Sequence, residues 1–179
     1  MTYVGVAGFA SGQFVYTENG GDNFWANRFN WRFGVIDPAG DYPNGFTGGV
    51  DLEVEIPRGE AVLSEPIRVG MLELATNTNN QSATVDLSGQ SLTVEGDLTS
   101  FGISMMENGT LTANRIILND GGIMLDGMDV TVAETEMAHG LSLRNGSHYR
   151  ISESLLISND SGITAGGAGC SSLAAGTSV

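Results

Sequence analysis

Two series of turn-forming residues recur along this chain at the same interval of about 20 residues. In the first series a glycine precedes an aliphatic residue, at Gly102-Ile103, Gly122-Ile123, Gly140-Leu141 and Gly162-Ile163. In the second a small polar residue precedes a glycine, at Ser88-Gly89, Asn108-Gly109, Asp126-Gly127 and Asn145-Gly146. Repetition at a fixed period is typical of solenoids, in which each coil stacks on the next and buries a continuous core.

Short segments of alternating polar and aliphatic residues lie between these markers, at residues 84–87, 91–94, 110–113 and 129–132. Alternation with a period of two indicates strands that are buried on one side. A denser apolar segment follows in two coils, at residues 115–118 and 154–157. Each coil is therefore predicted to contain about three strands, separated by corners that small residues suit because they tolerate positive φ or bond their own backbone.

The prediction is an all-β protein built as a parallel β-solenoid (β-helix) with coils of about 20 residues, over residues 50–165. An antiparallel β-sandwich is the alternative, because Asn-Gly and Asp-Gly are favoured hairpin turns. The solenoid is preferred because like residues align with like, since Ile103, Ile123, Leu141 and Ile163 each follow the equivalent glycine. Residues 166–179, rich in Gly, Ala and Ser, are predicted to be a tail.

Residues 1–49 contain most of the aromatic residues and both tryptophans. We expect this irregular segment to cap or attach the first coil, because an uncovered end would expose apolar ladders and unpaired strand edges. Trp25, Trp31 and Tyr42 are candidate contacts for a carbohydrate or a partner, since aromatic rings offer flat amphipathic surfaces. The favoured interpretation is that the tryptophans plug the end of the solenoid.

The charge balance excludes several classes of function. The chain has 21 acidic and 7 basic residues, a formal net charge of -14, and every basic residue is an arginine. Nucleic acid is therefore not expected as a partner, because it requires a basic stripe. The absence of lysine also excludes a Walker A loop and Schiff-base chemistry. Without an apolar run of about 18 residues, a soluble protein with no membrane partner is expected.

No catalytic, cofactor-binding or metal-binding residue is predicted, and no cofactor is expected. Eight carboxylates are candidates for glycoside chemistry, but none is predicted to form a pair at the coil period; they are Asp86, Glu95, Asp97, Glu107, Asp126, Asp129, Glu134 and Glu136. His139 and His148 are placed on different strands, and Asp37, Asp41 and Asn44 match no defined calcium loop. Cys170 has no basic neighbour in sequence that would activate its thiol.

A family resemblance depends on the order of four features: Asn30-Trp31, the loop at residues 37–41, the strand within residues 50–57, and the coils from Ala83 onward. This order resembles β-helical modules of bacterial surface adhesins and of phage tailspikes, fibres and head decorations, over residues 23–165. The resemblance implies an elongated, often trimeric, virion-exposed or extracellular element, and it does not supply a catalytic site. The first 12 residues do not read as a secretory leader, which favours the phage version.

The expected function is that of a non-enzymatic structural or decoration protein of a virion or a comparable extracellular assembly. Its expected partners are its own copies in a homotrimer, capsid or tail proteins, and a surface glycan. One alternative is a secreted or cell-surface adhesin fragment that binds carbohydrate. The other is a β-helix polysaccharide lyase or glycosidase.

Overall fold

A computed structural model of the chain describes residues 13–36, 39–45, 52–76, 82–119, 121–158, 161–166 and 168–174. These ranges contain one 3-10 turn, Arg28–Asn30, and fourteen strands of a single sheet. The strands are β1 Phe14–Tyr16, β2 Trp31–Phe33, β3 Glu53–Ile56, β4 Gly59–Val62, β5 Ile67–Val69, β6 Met71–Leu74, β7 Ala83–Asp86, β8 Ser91–Ser100, β9 Ser104–Leu118, β10 Ile123–Met137, β11 Leu141–Arg144, β12 His148–Ile157, β13 Ile163–Gly166 and β14 Ser171–Ala174. No helix within these ranges has the length and apolarity that a bilayer crossing requires.

The strands stack in parallel on three faces, so the protein is a parallel β-solenoid. Face A consists of β3, β6 and the C-terminal parts of β8, β9, β10 and β12. Face B consists of β4, β7, the N-terminal parts of β9 and β10, β11 and β13. Face C consists of β5, the N-terminal parts of β8 and β12, the middle parts of β9 and β10, and β14. The chain visits the faces in the order A, B, C about six times.

Equivalent positions in successive turns form buried ladders. On face C the inward residues Leu92, Leu111, Val130 and Tyr149 lie opposite one another and are 19 residues apart along the chain. All four are buried, because alternation sends every second side chain of a strand inward. The predicted solenoid and its three strands per coil are confirmed. The antiparallel sandwich is wrong, since β1 and β2 make the one antiparallel strand pair among the described strands.

The predicted alignment of the four aliphatic residues that follow a glycine holds for three of them. Ile123, Leu141 and Ile163 stack on one another, but Ser104 lies opposite Ile123, and Ile103 is 70% exposed. The glycine corners explain the offset. A Cβ on Gly121 would lie 1.8 Å from the carbonyl oxygen of Gly102, so Gly102 stacks on Gly121, whereas Gly140 stacks on Gly122.

Ser104 can occupy the core because another serine satisfies its hydroxyl. The hydroxyl oxygens of Ser100 and Ser104 lie 2.8 Å apart, and Ser100 donates a hydrogen bond of 2.9 Å to the carbonyl oxygen of Gly102. Both side chains are fully buried. A buried polar group costs little free energy when it is hydrogen-bonded, so this coil tolerates serine at an aliphatic ladder position.

The described residues between Gln13 and Gly45 form an aromatic cap on the first turn, while residues 1–12, 37–38 and 46–49 of the predicted cap lie outside the described residues. Trp25 and Trp31 are fully buried, with ring centroids 4.8 Å apart. The Trp31 indole N–H donates to the carbonyl oxygen of Trp25, and the Trp25 indole N–H donates to that of Pro43. Strand β1 pairs in parallel with β3, so the cap also continues face A by one rung.

The Asn-Trp element of the sequence resemblance has a structural role within this cap. Asn30 is fully buried; its side-chain oxygen accepts from the Gly20 N–H at 2.7 Å, and its amide group donates to the carbonyl oxygen of Phe24 at 3.0 Å. Asp22 accepts hydrogen bonds from Asn27 and Asn30, and the Asn27 bond is the largest cause that lowers the pKa of Asp22. These bonds fix the loop that presents the tryptophans.

The solenoid extends further toward the C-terminus than the sequence predicts. Strand β14 pairs in register with the N-terminal part of β12, so the solenoid continues to at least Ala174, beyond the predicted boundary at residue 165. The prediction of a tail is wrong for Ser171–Ala174, and residues 175–179 lie outside the described residues. Alternation is hard to recognise in a strand made mostly of serine and alanine.

Replacing Ile123 with aspartate tests the ladder register. Ile123 is 2% exposed and lies between Ser104 and Leu141, so Ile123→Asp places a charge in the stacked core and should lower the free energy of unfolding by about 4 kcal/mol or more. Ile103→Asp, the same change at an exposed corner, should alter it by less than about 0.5 kcal/mol. Urea unfolding followed by circular dichroism measures both, and equal losses would contradict the register.

Candidate functional site

Three carboxylates stack in register on the outer side of face B and form what we call the acidic ladder. Asp86 lies opposite Glu107, and Glu107 lies opposite Asp126 on the next turn. Arg144 continues the row beyond Asp126. The prediction that no subset of the carboxylates recurs at the coil period was wrong. Their separations along the chain are unequal because coil lengths differ, so a search for one constant period does not detect them.

The middle carboxylate of the acidic ladder is electrostatically disfavoured. Burial is the largest cause that raises the pKa of Glu107, and the charges of Asp86, Asp126 and Glu60 raise it further. Rungs of a parallel sheet are about 4.8 Å apart, so like charges stacked on one face repel each other. The folded protein therefore binds a proton at Glu107 more readily than an isolated glutamate would.

Corner asparagines stabilise the two outer members of the acidic ladder. The Asn108 amide donates to Asp86 at 3.2 Å, and the Asn145 amide donates to Asp126 at 2.6 Å. Both asparagines have a positive φ, a conformation that asparagine adopts more readily than most residues. The second series of turn markers therefore forms corners, as predicted, and also presents amide donors to carboxylates of the preceding turn.

The other candidate carboxylates lie apart from the acidic ladder. Two of them form ion pairs with arginines of neighbouring turns: Glu95 with Arg68 at 2.6 Å, and Asp97 with Arg115 at 2.9 Å. The remaining three are placed by the strand register, with Glu134 and Glu136 on face A and Asp129 on face C. Within the described residues, no group of three or more His, Cys, Asp or Glu side chains is placed to hold a metal ion.

The histidines and the cysteine do not share a site. His139 lies in the exposed turn between β10 and β11, whereas His148 lies on face C with its Nδ1 2.7 Å from the Ser171 hydroxyl. Cys170 is half-buried at the last corner, and its sulfur lies 3.7 Å from the carbonyl oxygen of Gly166. The structure therefore brings none of these groups to the acidic ladder.

The residues considered for calcium are also separated. Asp37 lies outside the described residues, and the Asp41 carboxylate accepts from the backbone N–H of Tyr42. Asn44 is buried, and its amide donates to Glu65 at 3.2 Å and to the carbonyl oxygen of Pro66 at 3.3 Å. The Asn44 side chain thus fastens the cap to the first solenoid corner.

The predicted aromatic contact surface requires correction. Trp25 and Trp31 have 0% exposure and cannot present a face to a carbohydrate, because they form the interior of the cap. Tyr42 is half-buried and donates to Glu65 at 2.5 Å, and this bond is the largest cause that raises the pKa of Tyr42 to about 12. Among the described residues of the cap, the exposed aromatic rings are those of Phe24 and Phe29, neither of which is a predicted contact residue.

A scan against protein-family models, a search of curated proteins and a search of solved structures returned no match for this chain.

Neutralising the middle of the acidic ladder should stabilise the fold. A carboxyl whose pKa is raised on folding contributes stability at low pH and loses that contribution as pH rises through the raised value. At pH 7 Glu107→Gln should therefore raise Tm by about 1–3 °C. The gain should disappear below about pH 4, where the carboxyl is protonated. Glu153→Gln, the same change at an exposed site away from the ladder, controls for net charge; an equal gain there would contradict the account.

Burial of both tryptophans predicts the protein's fluorescence. The chain has only two tryptophans, so its emission reports on the cap alone. Emission should be blue-shifted and resistant to quenching by iodide, and titration with glycans should leave it unchanged. Emission that is strongly quenched in the folded protein, or that shifts on addition of a glycan, would restore Trp25 and Trp31 as binding residues.

Proposed function

We propose that the chain is a non-enzymatic structural or decoration module of a virion or a comparable extracellular assembly, working as a rigid trimeric rod. The observation that carries this proposal is the continuity of the three faces through about six turns. A part that resists deformation needs many weak interactions that break together, and continuous in-register ladders supply them.

Rigidity follows from how each inner turn is held. The inner strands hydrogen-bond to a parallel neighbour on both sides, and their inward residues pack in one continuous core. β9 and β10 pair with each other on all three faces, and only the corner residues Asn108 and Gly127, which have positive φ, interrupt the pairing between faces B and C. Bending such a rod would break hydrogen bonds on one face and compress the core on another.

The proposed trimer contact is a row of hydroxyl groups on face C. Thr93, Thr112 and Thr131 stack on the outer side of three successive turns, beside a second row that includes Ser91 and Thr110. Arg68 and Arg150 end the threonine row, and Asp129 follows Thr110 in the second row, so face C has no run of stacked carboxylates. In a chain with a net charge of -14, copies meet there with less repulsion than along the acidic ladder. The acidic ladder would keep copies apart along face B.

Native mass spectrometry of the purified chain tests the trimer. The wild type should have the mass of three chains or a multiple of three. Thr112→Arg, which places a bulky charge in the centre of the hydroxyl row, should reduce that mass threefold. Thr84→Arg makes the same change on face B and should leave the mass unchanged. A wild-type mass that is not a multiple of three would reject the trimer.

The assembly role is tested separately from the trimer. Proteomic analysis of purified particles or cell-surface fractions from the source should find the chain as a stoichiometric component. Detection in soluble fractions alone would contradict it. Binding to a glycan array without particle association would favour the adhesin, and release of sugar fragments from a polysaccharide would favour the lyase or glycosidase.

A further inference from the structure

Two corners between faces B and C share the dipeptide Asn-Gly and much of their local geometry. At Asn108-Gly109 and at Asn145-Gly146 the asparagine has a positive φ, of 58° and 48° respectively. Both asparagines are exposed, and each donates its side-chain amide to a carboxylate of the preceding turn. The two corners are therefore a matched pair, and a comparison of them isolates the effect of the glycine's surroundings.

Asparagine is thermally labile, and most of all when glycine follows it, because glycine has no side chain to obstruct the reaction. The main-chain nitrogen of the glycine loses its proton and attacks the side-chain carbon Cγ of the asparagine. A bond forms between that nitrogen and Cγ, the bond from Cγ to Nδ2 breaks, and the leaving NH2 group takes up a proton and departs as ammonia. Water then opens the resulting succinimide ring to aspartate or isoaspartate, so the net change replaces NH2 by OH.

The Asn108-Gly109 corner is held inside the stack of turns. Gly109 belongs to β9 and pairs with Met128 of β10. The Asn108 carbonyl oxygen accepts a hydrogen bond of 2.6 Å from the Gly89 N–H. A Cβ on Gly109 would lie 2.5 Å from that of Leu87, so the glycine is closely packed. Ring closure requires the backbone between asparagine and glycine to rotate, and these contacts oppose the rotation.

The Asn145-Gly146 corner is held less firmly. It is a two-residue turn between β11 and β12, closed by a hydrogen bond of 3.0 Å from the Ser147 N–H to the Arg144 carbonyl oxygen. Both of its residues have a positive φ, as in a type I′ turn. Among the described residues, none accepts a hydrogen bond from the Gly146 N–H. A Cβ on Gly146 would meet no atom within 4 Å, so the attacking nitrogen is unbonded and the corner has space.

We propose that Asn145 is a site of spontaneous deamidation in the folded protein, with the Gly146 nitrogen as the nucleophile, and that the packed corner protects Asn108. The product places a carboxylate next to Asp126, where an amide donor lies at 2.6 Å in the unreacted chain. The acidic ladder therefore loses a stabilising contact and gains a like charge. The reaction needs no partner, so it does not depend on the proposed trimer or on the assembly role.

Incubation of the folded chain in mildly alkaline buffer, followed by proteolysis and mass spectrometry, tests the site. Asn145 should convert at least about tenfold faster than Asn108, because reaction at Asn108 requires local opening of an inner turn. Samples digested before incubation correct for conversion during proteolysis. Equal rates at the two asparagines would overturn the proposal, and so would the absence of conversion at Asn145.

The chain unfolded in guanidinium chloride is the control for local sequence. Without the folded contacts the two dipeptides should convert at similar rates, and a difference that persisted would reject the structural explanation. Asn145→Gln should remove the main acidic product on anion exchange, since the longer side chain cannot close the same ring. Asn108→Gln should leave the yield of that product unchanged. An acidic product formed equally well by Asn145→Gln would also reject the site.

Discussion

Parallel hydrogen bonding between successive turns is the constraint on which the rest of this structure depends. It holds rungs about 4.8 Å apart, so each side chain faces the equivalent side chain of the next turn. Inside the rod this favours identical chemistry, as in the buried ladder of Leu92, Leu111, Val130 and Tyr149. Outside the rod the same stacking is unfavourable for charged residues of one sign, because it places their like charges next to each other on successive turns.

The acidic ladder and the arginine pairs are two outcomes of that outer constraint. On face A, Arg115 stacks between Asp97 and Glu134. Acidic and basic side chains therefore alternate along this row, and the arginine attracts the carboxylate on each side. On face B, Asp86, Glu107 and Asp126 stack, so their negative charges repel one another. Hydrogen bonds from corner asparagines to the two outer carboxylates offset part of this repulsion. The same backbone geometry therefore gives a mutually attractive row on face A and a strained row on face B.

Much of the fold could be predicted from the sequence because each coil of the solenoid repeats the same turn residues and the same alternating strand pattern. The two marker series place corners in the correct coils, and alternation identifies inward residues such as Val130 and Val132. What failed was the register of single residues. Ile103 follows a marker glycine, yet it lies outside the core because Gly102 stacks on Gly121, and two adjacent glycines cannot be told apart by spacing alone.

The outer surface was less predictable for the same reason. Asp86, Glu107 and Asp126 are obvious as acidic residues, but their alignment depends on how many residues each corner absorbs, which local sequence does not determine. Likewise, two tryptophans in a turn-rich segment are compatible with a binding face or with a plug. The buried hydrogen bonds from the Trp31 indole to Trp25 and from the Trp25 indole to Pro43 show that the tryptophans form a plug.

The asymmetry of the ends follows from this way of building a protein. A solenoid core has no intrinsic limit, because every turn creates the same surface that it covers, so each end needs a separate solution. At the N-terminus the solution is aromatic volume, with indole N–H groups bonded to backbone carbonyls inside the cap. Among the described residues of the last turn, no aromatic group covers the ladders in this way, and Ile157 and Ala165 are exposed.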